Sequence, residues 1–219
     1  MKTVLFDLDG TLTDSGPGII NCIQHALREL GHDPPAADLL RWCIGPPLDG
    51  SFARLMATED PALVAQAITH YRSRFSTVGY MENTVYDGVL DALRYVRALG
   101  YRTFVTTSKP EVYARKIVEH FAMGGLFDGV YGSELDGVRS DKGDLIAHVI
   151  GAEGLSPTGT IMVGDREHDV IGARKCGLAC IGVSYGYGGA DELRASGAAD
   201  LAAHPVEIPA LVQRRIGLP

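Results

Sequence analysis

The chain has 219 residues, of which 46% are hydrophobic and 21% are charged, a balance typical of folded globular proteins rather than disordered ones. Its formal net charge of -7 at pH 7 argues against a partner that needs a broad basic surface, such as a nucleic-acid polymer or an anionic membrane. Asp7 and Asp9 interrupt the apolar N-terminal run too early for a signal peptide, and no segment approaches the roughly 18 apolar residues of a membrane span.

The four cysteines predict free thiols rather than disulfides or a zinc site. Cys22, Cys43, Cys176 and Cys180 form no CxxC pair, and no histidine lies at a spacing that would complete a set of zinc ligands. Free thiols are typical of a reducing compartment, so we expect a cytoplasmic protein.

Short apolar runs that end in Asp, Thr or Gly recur along the chain and predict buried strands. Amphipathic stretches of helical period lie between them. The alternation predicts an α/β fold with a doubly wound parallel sheet, in which right-handed crossover helices cover both faces. The predicted strands are Thr3–Leu8, Arg102–Thr106, Gly129–Tyr131, Thr160–Val163 and Leu178–Val183, and the predicted helices include Val89–Leu99, Glu111–Phe121, Leu145–Ile150 and Val170–Lys175.

The alternation is absent after the first strand, where the pattern is helical throughout. Proline-containing breaks at 33–35, 45–47 and 60–61 divide this stretch into separate helices. We therefore predict a core domain made of residues 1–14 and 83–219, with an inserted helical cap domain at residues 15–82.

Polar side chains follow several of the predicted strands, and the carboxyl ends of parallel strands form the ligand-binding edge of such a sheet. Asp7 and Asp9 lie at the end of the first strand, Thr107 follows the second and Asp165 the fourth, while Lys142 opens a helix. Separate parts of the chain thus deliver carboxylates, a hydroxyl and a lysine to one edge. This convergence predicts a single site.

These residue types suit the transfer of a phosphoryl group. Asp7, Asp165 and the carbonyl of Asp9 form an all-oxygen ligand set that suits Mg²⁺ and leaves positions open for water and phosphate. A carboxylate that attacks a phosphate dianion needs cations to offset the repulsion. Lys142 and the Thr107 hydroxyl can bind the remaining phosphate oxygens, and backbone N–H groups around Gly10 can assist them.

At this level of detail the chain resembles the haloacid dehalogenase-like hydrolases. The resemblance rests on four motifs in order: the segment Asp7-Leu8-Asp9-Gly10-Thr11-Leu12, then Thr107, then Lys142, then Gly164-Asp165 with Asp169. It covers essentially the whole chain, including the cap insertion.

The resemblance implies a role for each matching residue. Asp7 would be the nucleophile that forms an aspartyl-phosphate, and Asp9 the general acid and then the general base. Thr107 and Lys142 would bind phosphate, Asp165 would ligate Mg²⁺, and Asp169 would support the metal or pair with Lys142. Ser108 and Lys109 are further candidate substrate contacts, with a surface charge as the alternative for Lys109.

Local matches narrow the resemblance to the phosphoglycolate phosphatase branch and, within it, to 5′-nucleotidase-like members. They include Ile44-Gly45-Pro46-Pro47-Leu48 and Thr107-Ser108-Lys109-Pro110. The expected substrate is a small phosphorylated metabolite, a nucleoside 5′-monophosphate or, alternatively, 2-phosphoglycolate. A sugar phosphomutase on the same scaffold stays open, whereas a dehalogenase or phosphonatase is disfavoured because of Asp9. A phosphate-accepting receiver domain would not need the cap. The oligomeric state is not predicted.

Overall fold

The structure, a computed structural model, describes all 219 residues of the chain. The chain divides into two compact units, one formed by Met1–Asp14 with Val85–Pro219 and the other by Ser15–Thr84. No helix is long and apolar enough to cross a membrane. The assignment of the inserted segment as a cap that acts over the site stays a prediction.

A six-stranded sheet forms the centre of the first unit, and every neighbouring pair in it is parallel. In chain order the strands are β1 (Thr3–Phe6), β2 (Thr13–Asp14), β3 (Thr84–Val85), β4 (Arg102–Pro110), β5 (Gly129–Ser133), β6 (Thr160–Gly164), β7 (Ala179–Val183) and β8 (Asp200–Ala202). The strand order across the sheet is β5-β4-β1-β6-β7-β8, and the two short strands β2 and β3 lie outside it.

Nine α-helices connect these strands and form the second unit. They are α1 (Gly16–Glu29), α2 (Leu48–Leu55), α3 (Pro61–Arg74), α4 (Val89–Ala98), α5 (Glu111–His120), α6 (Lys142–Glu153), α7 (Glu167–Lys175), α8 (Gly189–Ser196) and α9 (Ile208–Ile216). The predicted doubly wound α/β fold is confirmed.

The central position of β1 in the sheet explains why this segment is a nearly continuous apolar run. All four of its residues are at most 1% exposed, because the strand lies in the middle of the sheet and is covered on both faces. Its register aligns Phe6 with Val105 of β4 and with Val163 of β6. The residues that come next after these three aligned positions therefore lie side by side towards one edge of the sheet.

The second unit is helical and contains an aromatic core of its own. Phe52, Tyr71 and Phe75 are at most 5% exposed. Tyr71 packs edge-on against Phe52 and stacks on Phe75. Arg74 forms a two-pronged ion pair with Glu82 at 2.7 and 2.8 Å. These contacts hold the helices of the second unit together.

Candidate active site

Asp7 lies immediately beyond β1 and remains part of the sheet. Its backbone N–H donates to the carbonyl of Val163 at 2.9 Å, so the strand geometry fixes where its side chain begins. The chain then turns sharply, and Gly10 adopts a φ of +81°, which glycine tolerates without strain. The Asp7 residue is 8% exposed, and this small opening leaves its carboxylate reachable at the edge of the sheet.

Three carboxylates meet at this edge. One oxygen from each of Asp7, Asp165 and Asp169 lies within 4.8 Å of the other two, and all three residues are buried. Asp165 follows β6, and Asp169 lies in the first turn of α7, where its Oδ2 accepts the N–H of Arg166 at 3.1 Å. The carboxylate of Asp9 is not part of this cluster.

Lys142 is the one basic side chain paired with the cluster. Its Nζ lies 3.0 Å from Asp7 Oδ1 and 2.8 Å from Asp169 Oδ1, and it donates to the carbonyl of Thr106 at 3.1 Å. Burial by itself would lower the pKa of Lys142, but the charges of Asp169 and Asp7 outweigh it and raise that pKa above its usual value. Lys142 is therefore a fixed positive charge.

Asp165 has no basic partner, although it is fully buried. Burial, followed by the neighbouring charges of Asp169 and Asp7, raises the pKa of Asp165 well above its usual value, against the opposing effect of the Tyr187 N–H. Three carboxylates facing one ammonium carry an excess of two negative charges when all are ionised. An all-oxygen donor set with that excess fits a hard divalent cation.

A loop that follows β7 encloses Asp165. The Tyr187 N–H donates to Asp165 Oδ2 at 2.7 Å, and Thr11 Oγ1 donates to Oδ1 at 3.3 Å. A Cβ at Gly186 would lie 2.3 Å from Asp165 Cβ, and one at Gly10 would lie 2.2 Å from Asp165 Oδ2. Neither position has room for a side chain, so both glycines allow the close packing that holds this carboxylate.

The same loop is tied to the chain beyond β1 by its tyrosines. Tyr187 Oη donates to Asp14 Oδ1 at 2.6 Å, and Tyr185 Oη donates to the carbonyl of Thr11 at 2.9 Å. Burial raises the pKa of both phenols, so both stay protonated as donors. In the sequence, Gly186-Tyr187-Gly188-Gly189 is a glycine-rich loop that lacks the lysine and spacing of a nucleotide-binding P-loop, and no role in the site was predicted for it. Its signal was that these glycines come shortly after a predicted strand, at the edge where the other site residues lie.

The remaining predicted residues lie at the end of β4 and near its neighbour. Thr107 is 2% exposed, and its Oγ1 accepts the backbone N–H of Lys109 at 3.3 Å. The carbonyl of Ser108 accepts from Ser133 Oγ at 2.9 Å. Lys109 Nζ lies 2.9 Å from Asp9 Oδ2, a pairing that the sequence analysis missed because the two residues are a hundred positions apart.

Comparison with known proteins identifies the family to which this arrangement belongs. The sequence pattern of the haloacid dehalogenase-like hydrolases matches residues 4–183. The chain is 48% identical over 192 residues to a 5′-nucleotidase of Pseudomonas aeruginosa, and the aligned region covers 88% of this chain and 86% of that protein. It is also 40% identical over 190 residues to the tyrosine-protein kinase PtkA of Mycobacterium tuberculosis, covering 87% of this chain and 64% of that protein.

A solved structure shows the same fold over nearly the whole chain. The crystal structure of a predicted phosphatase from Clostridium acetobutylicum superimposes with a TM-score of 0.93 at 38% sequence identity, covering 97% of this chain and 98% of that one. The match includes both units of the chain.

The unpaired Asp165 generates a prediction about stability. In excess chelator, Asp165→Asn is expected to raise the melting temperature at pH 7. A carboxyl whose folded-state pKa is raised above its ordinary value of 3.8 stabilises the fold fully only below that value, and the contribution is lost as pH rises towards the folded-state pKa. Asparagine does not ionise, and it can accept from Tyr187 while donating to Thr11.

Thermal melts in EDTA between pH 4 and pH 8 measure this difference, which should widen as pH rises. Asp191→Asn provides the matched control, because the Asp191 side chain is fully exposed and pairs only with Arg194 at the surface. A melting temperature of the wild type above that of Asp165→Asn, at pH 7 without metal, would show that the buried charge does not destabilise the fold.

Proposed function

We propose that this chain, which belongs to the haloacid dehalogenase-like hydrolase family and is a phosphoric monoester hydrolase, acts through an aspartyl-phosphate on Asp7 and prefers nucleoside 5′-monophosphates. The observation that carries the mechanism is the position of Asp7. Its carboxylate is nearly buried, paired with Lys142 and adjacent to Asp165 and Asp169, at the edge of the sheet where ligands bind.

In the first step, a carboxylate oxygen of Asp7 attacks phosphorus, and the bond from phosphorus to the leaving oxygen breaks. The proton of the Asp9 carboxyl passes to that leaving oxygen. In the second step, Asp9 removes a proton from water, which attacks phosphorus and releases inorganic phosphate from Asp7. Lys142 and Thr107 bind the phosphate oxygens, and Lys142 offsets their negative charge throughout.

The carboxylate cluster is the proposed Mg²⁺ site. Asp7, Asp165 and Asp169 would hold the ion together with the backbone carbonyl of Asp9. When bound, it would supply the positive charge that lets a carboxylate approach a phosphate dianion. The excess negative charge of the cluster and the raised pKa of Asp165 support this assignment. Both indicate that the carboxylates carry more negative charge than Lys142 offsets.

Selection of the substrate is proposed to rest on the second unit, because the residues around Asp7 recognise only phosphate. The segment Arg41–Phe52 contains the Gly45-Pro46-Pro47 break, and Trp42 lies within it. The guanidinium of Arg54 lies 4.3 Å from the centre of the Trp42 ring, so one face of the ring is already covered. The second unit therefore contains an aromatic and cationic pair of the kind on which a nucleobase can stack.

The preference for nucleotides follows the likeness to the 5′-nucleotidase of Pseudomonas aeruginosa. 2-Phosphoglycolate remains the alternative substrate, because an arginine of the same segment could pair with its carboxylate. A sugar phosphomutase or a kinase like the PtkA relative would differ in the acceptor, since the phosphoryl group would then pass to a hydroxyl rather than to water.

The covalent mechanism predicts distinct outcomes for the two aspartates after β1. Asp7→Asn should lose essentially all turnover, because an amide is a poor nucleophile. Asp9→Asn should lower kcat by about 10²- to 10⁴-fold on alkyl phosphates, and with p-nitrophenyl phosphate it should accumulate phosphoenzyme.

Steady-state kinetics and intact-protein mass spectrometry of the quenched reaction measure both effects. Asp91→Asn is the control, because the Asp91 side chain is 85% exposed and pairs with Arg94 on the surface. An Asp7→Asn variant with more than a few per cent of wild-type activity would contradict the mechanism.

The proposed metal site predicts strict dependence on a small divalent cation. EDTA should abolish phosphatase activity, and Mg²⁺ or Mn²⁺ should restore it. Ca²⁺ should inhibit, because it takes more oxygen ligands at longer distances and would draw the nucleophile into its shell. Titration calorimetry with Mn²⁺ should show one site in the wild type and loss of binding in Asp165→Ala. Full activity in excess chelator would contradict this proposal.

The substrate preference is tested by kcat/KM for AMP, GMP, UMP and 2-phosphoglycolate, with inorganic phosphate as the readout. We expect the nucleotides to exceed 2-phosphoglycolate and to release one phosphate per molecule consumed. A tenfold advantage for 2-phosphoglycolate, equivalent to about 1.4 kcal/mol in transition-state stabilisation, would overturn the nucleotide assignment. Substrate consumed without a matching release of phosphate would indicate a mutase or a kinase.

A further inference from the structure

Lys109 is buried in an ion pair with Asp9, the aspartate assigned here to proton transfer. Its Nζ lies 2.9 Å from Asp9 Oδ2, and the two side chains are only 6% and 11% exposed. A lysine at the end of a strand is ordinarily solvated, because its ammonium is strongly hydrated. The buried position of the Lys109 side chain therefore depends on the conformation of the backbone around Lys109.

An irregularity in the sheet supplies that arrangement. The parallel pairing of β4 with β5 runs regularly to Thr107, opposite Gly132, and resumes only at Pro110, opposite Ser133. Ser108 and Lys109 are therefore extra residues in β4, a bulge of the kind that redirects side chains beside active sites.

Three contacts hold the bulge in place. The Lys109 N–H donates to Thr107 Oγ1 at 3.3 Å, and Ser133 Oγ donates to the Ser108 carbonyl at 2.9 Å. A Cβ at Gly132 would lie 2.5 Å from the Lys109 carbonyl oxygen, so only glycine allows β5 to approach this closely. The backbone of Lys109 is fixed on several sides, and its side chain is directed to Asp9 as a consequence.

The two oxygens of Asp9 differ in their surroundings. Oδ2 faces Lys109, whereas Oδ1 is buried and accepts no hydrogen bond. A buried polar atom without a partner is costly and uncommon in folded proteins. At a reacting group it indicates an atom whose partner arrives with the substrate.

We propose that Lys109 is a positioning residue for Asp9: it holds Oδ2, so that Oδ1 is presented to the leaving oxygen of the substrate and later to the attacking water. The proposal rests on the proton-transfer role given to Asp9 under the proposed function. It replaces the direct substrate contact expected for Lys109 from the sequence with an action through Asp9. A buried ion pair adds little net stability, which accords with a role in catalysis rather than in folding.

The test compares two substrates of nearly the same shape, phenyl phosphate and p-nitrophenyl phosphate. Phenolate is a poor leaving group that needs a proton, whereas p-nitrophenolate leaves without one. Lys109→Met should lower kcat/KM on phenyl phosphate by about 10- to 100-fold, a part of what a placed acid contributes, and change kcat/KM on p-nitrophenyl phosphate by less than about threefold, because kcat/KM reports the step in which the leaving group departs and not the later hydrolysis of the phosphoenzyme. Lys109→Arg should recover part of the loss, because it restores a positive charge near Oδ2.

A double-mutant cycle separates action through Asp9 from independent action. On an Asp9→Asn background, Lys109→Met should have no further effect on phenyl phosphate. Equal increases in KM for both substrates with kcat unchanged would show a direct substrate contact and overturn the proposal. Additive losses in the double variant would also overturn it.

Further controls keep the outcomes distinct. Lys116→Met, a change at an exposed lysine in α5, should leave both rates unchanged. Should Lys109→Met fail to fold, as judged by its thermal melt, Lys109→Gln is measured against the same criteria.

Wild-type rates on phenyl phosphate in Asp9→Asn alone would mean that the role given to Asp9 has failed, and the role of Lys109 with it. Loss in Asp9→Asn but not in any Lys109 variant would overturn the role of Lys109 alone.

Discussion

The burial of Lys142 among carboxylates is the interaction on which the rest of the site depends. Its ammonium lies between Asp7 and Asp169, and without it three negative charges would share a nearly buried space. Charges removed from water carry a cost of several kcal/mol each unless a partner offsets it. Lys142 offsets part of that cost and leaves a deficit of positive charge at Asp165, which is the property that makes the cluster a candidate for a divalent cation.

The residues of this site come from segments that are remote from one another along the chain. β1, β4 and β6 are neighbours in the sheet, so the residues that follow them converge without any long loop. The loop after β7 then closes over Asp165 through the Tyr187 N–H. Strands, or the residues next to them, hold most of the proposed reacting groups, and this suits a reaction in which small displacements of the attacking atom are costly.

Much of this arrangement was predictable from the sequence, for reasons that are local. A run such as Thr3–Phe6 has few alternatives to a buried strand, and the carboxylates that follow such strands must meet at one edge. β8 was missed because Asp200–Ala202 is short and begins with a charged residue. The pairing of Lys109 with Asp9 was missed because it depends on a bulge, and a bulge is decided by how β4 packs on β5 rather than by the residues of β4 alone.

The position of β1 also bears on how the protein is made. The strand that precedes Asp7 lies between β4 and β6, both of which are synthesised after it. Until Thr160–Gly164 has left the exit tunnel, β1 has an unpaired edge and a largely apolar surface that nothing covers. Pairings between residues so distant in sequence form slowly, and exposed edges of this kind invite association with other chains. The nascent chain thus leaves this buried strand unprotected until β6 has been made, a period in which a chaperone would find a binding site.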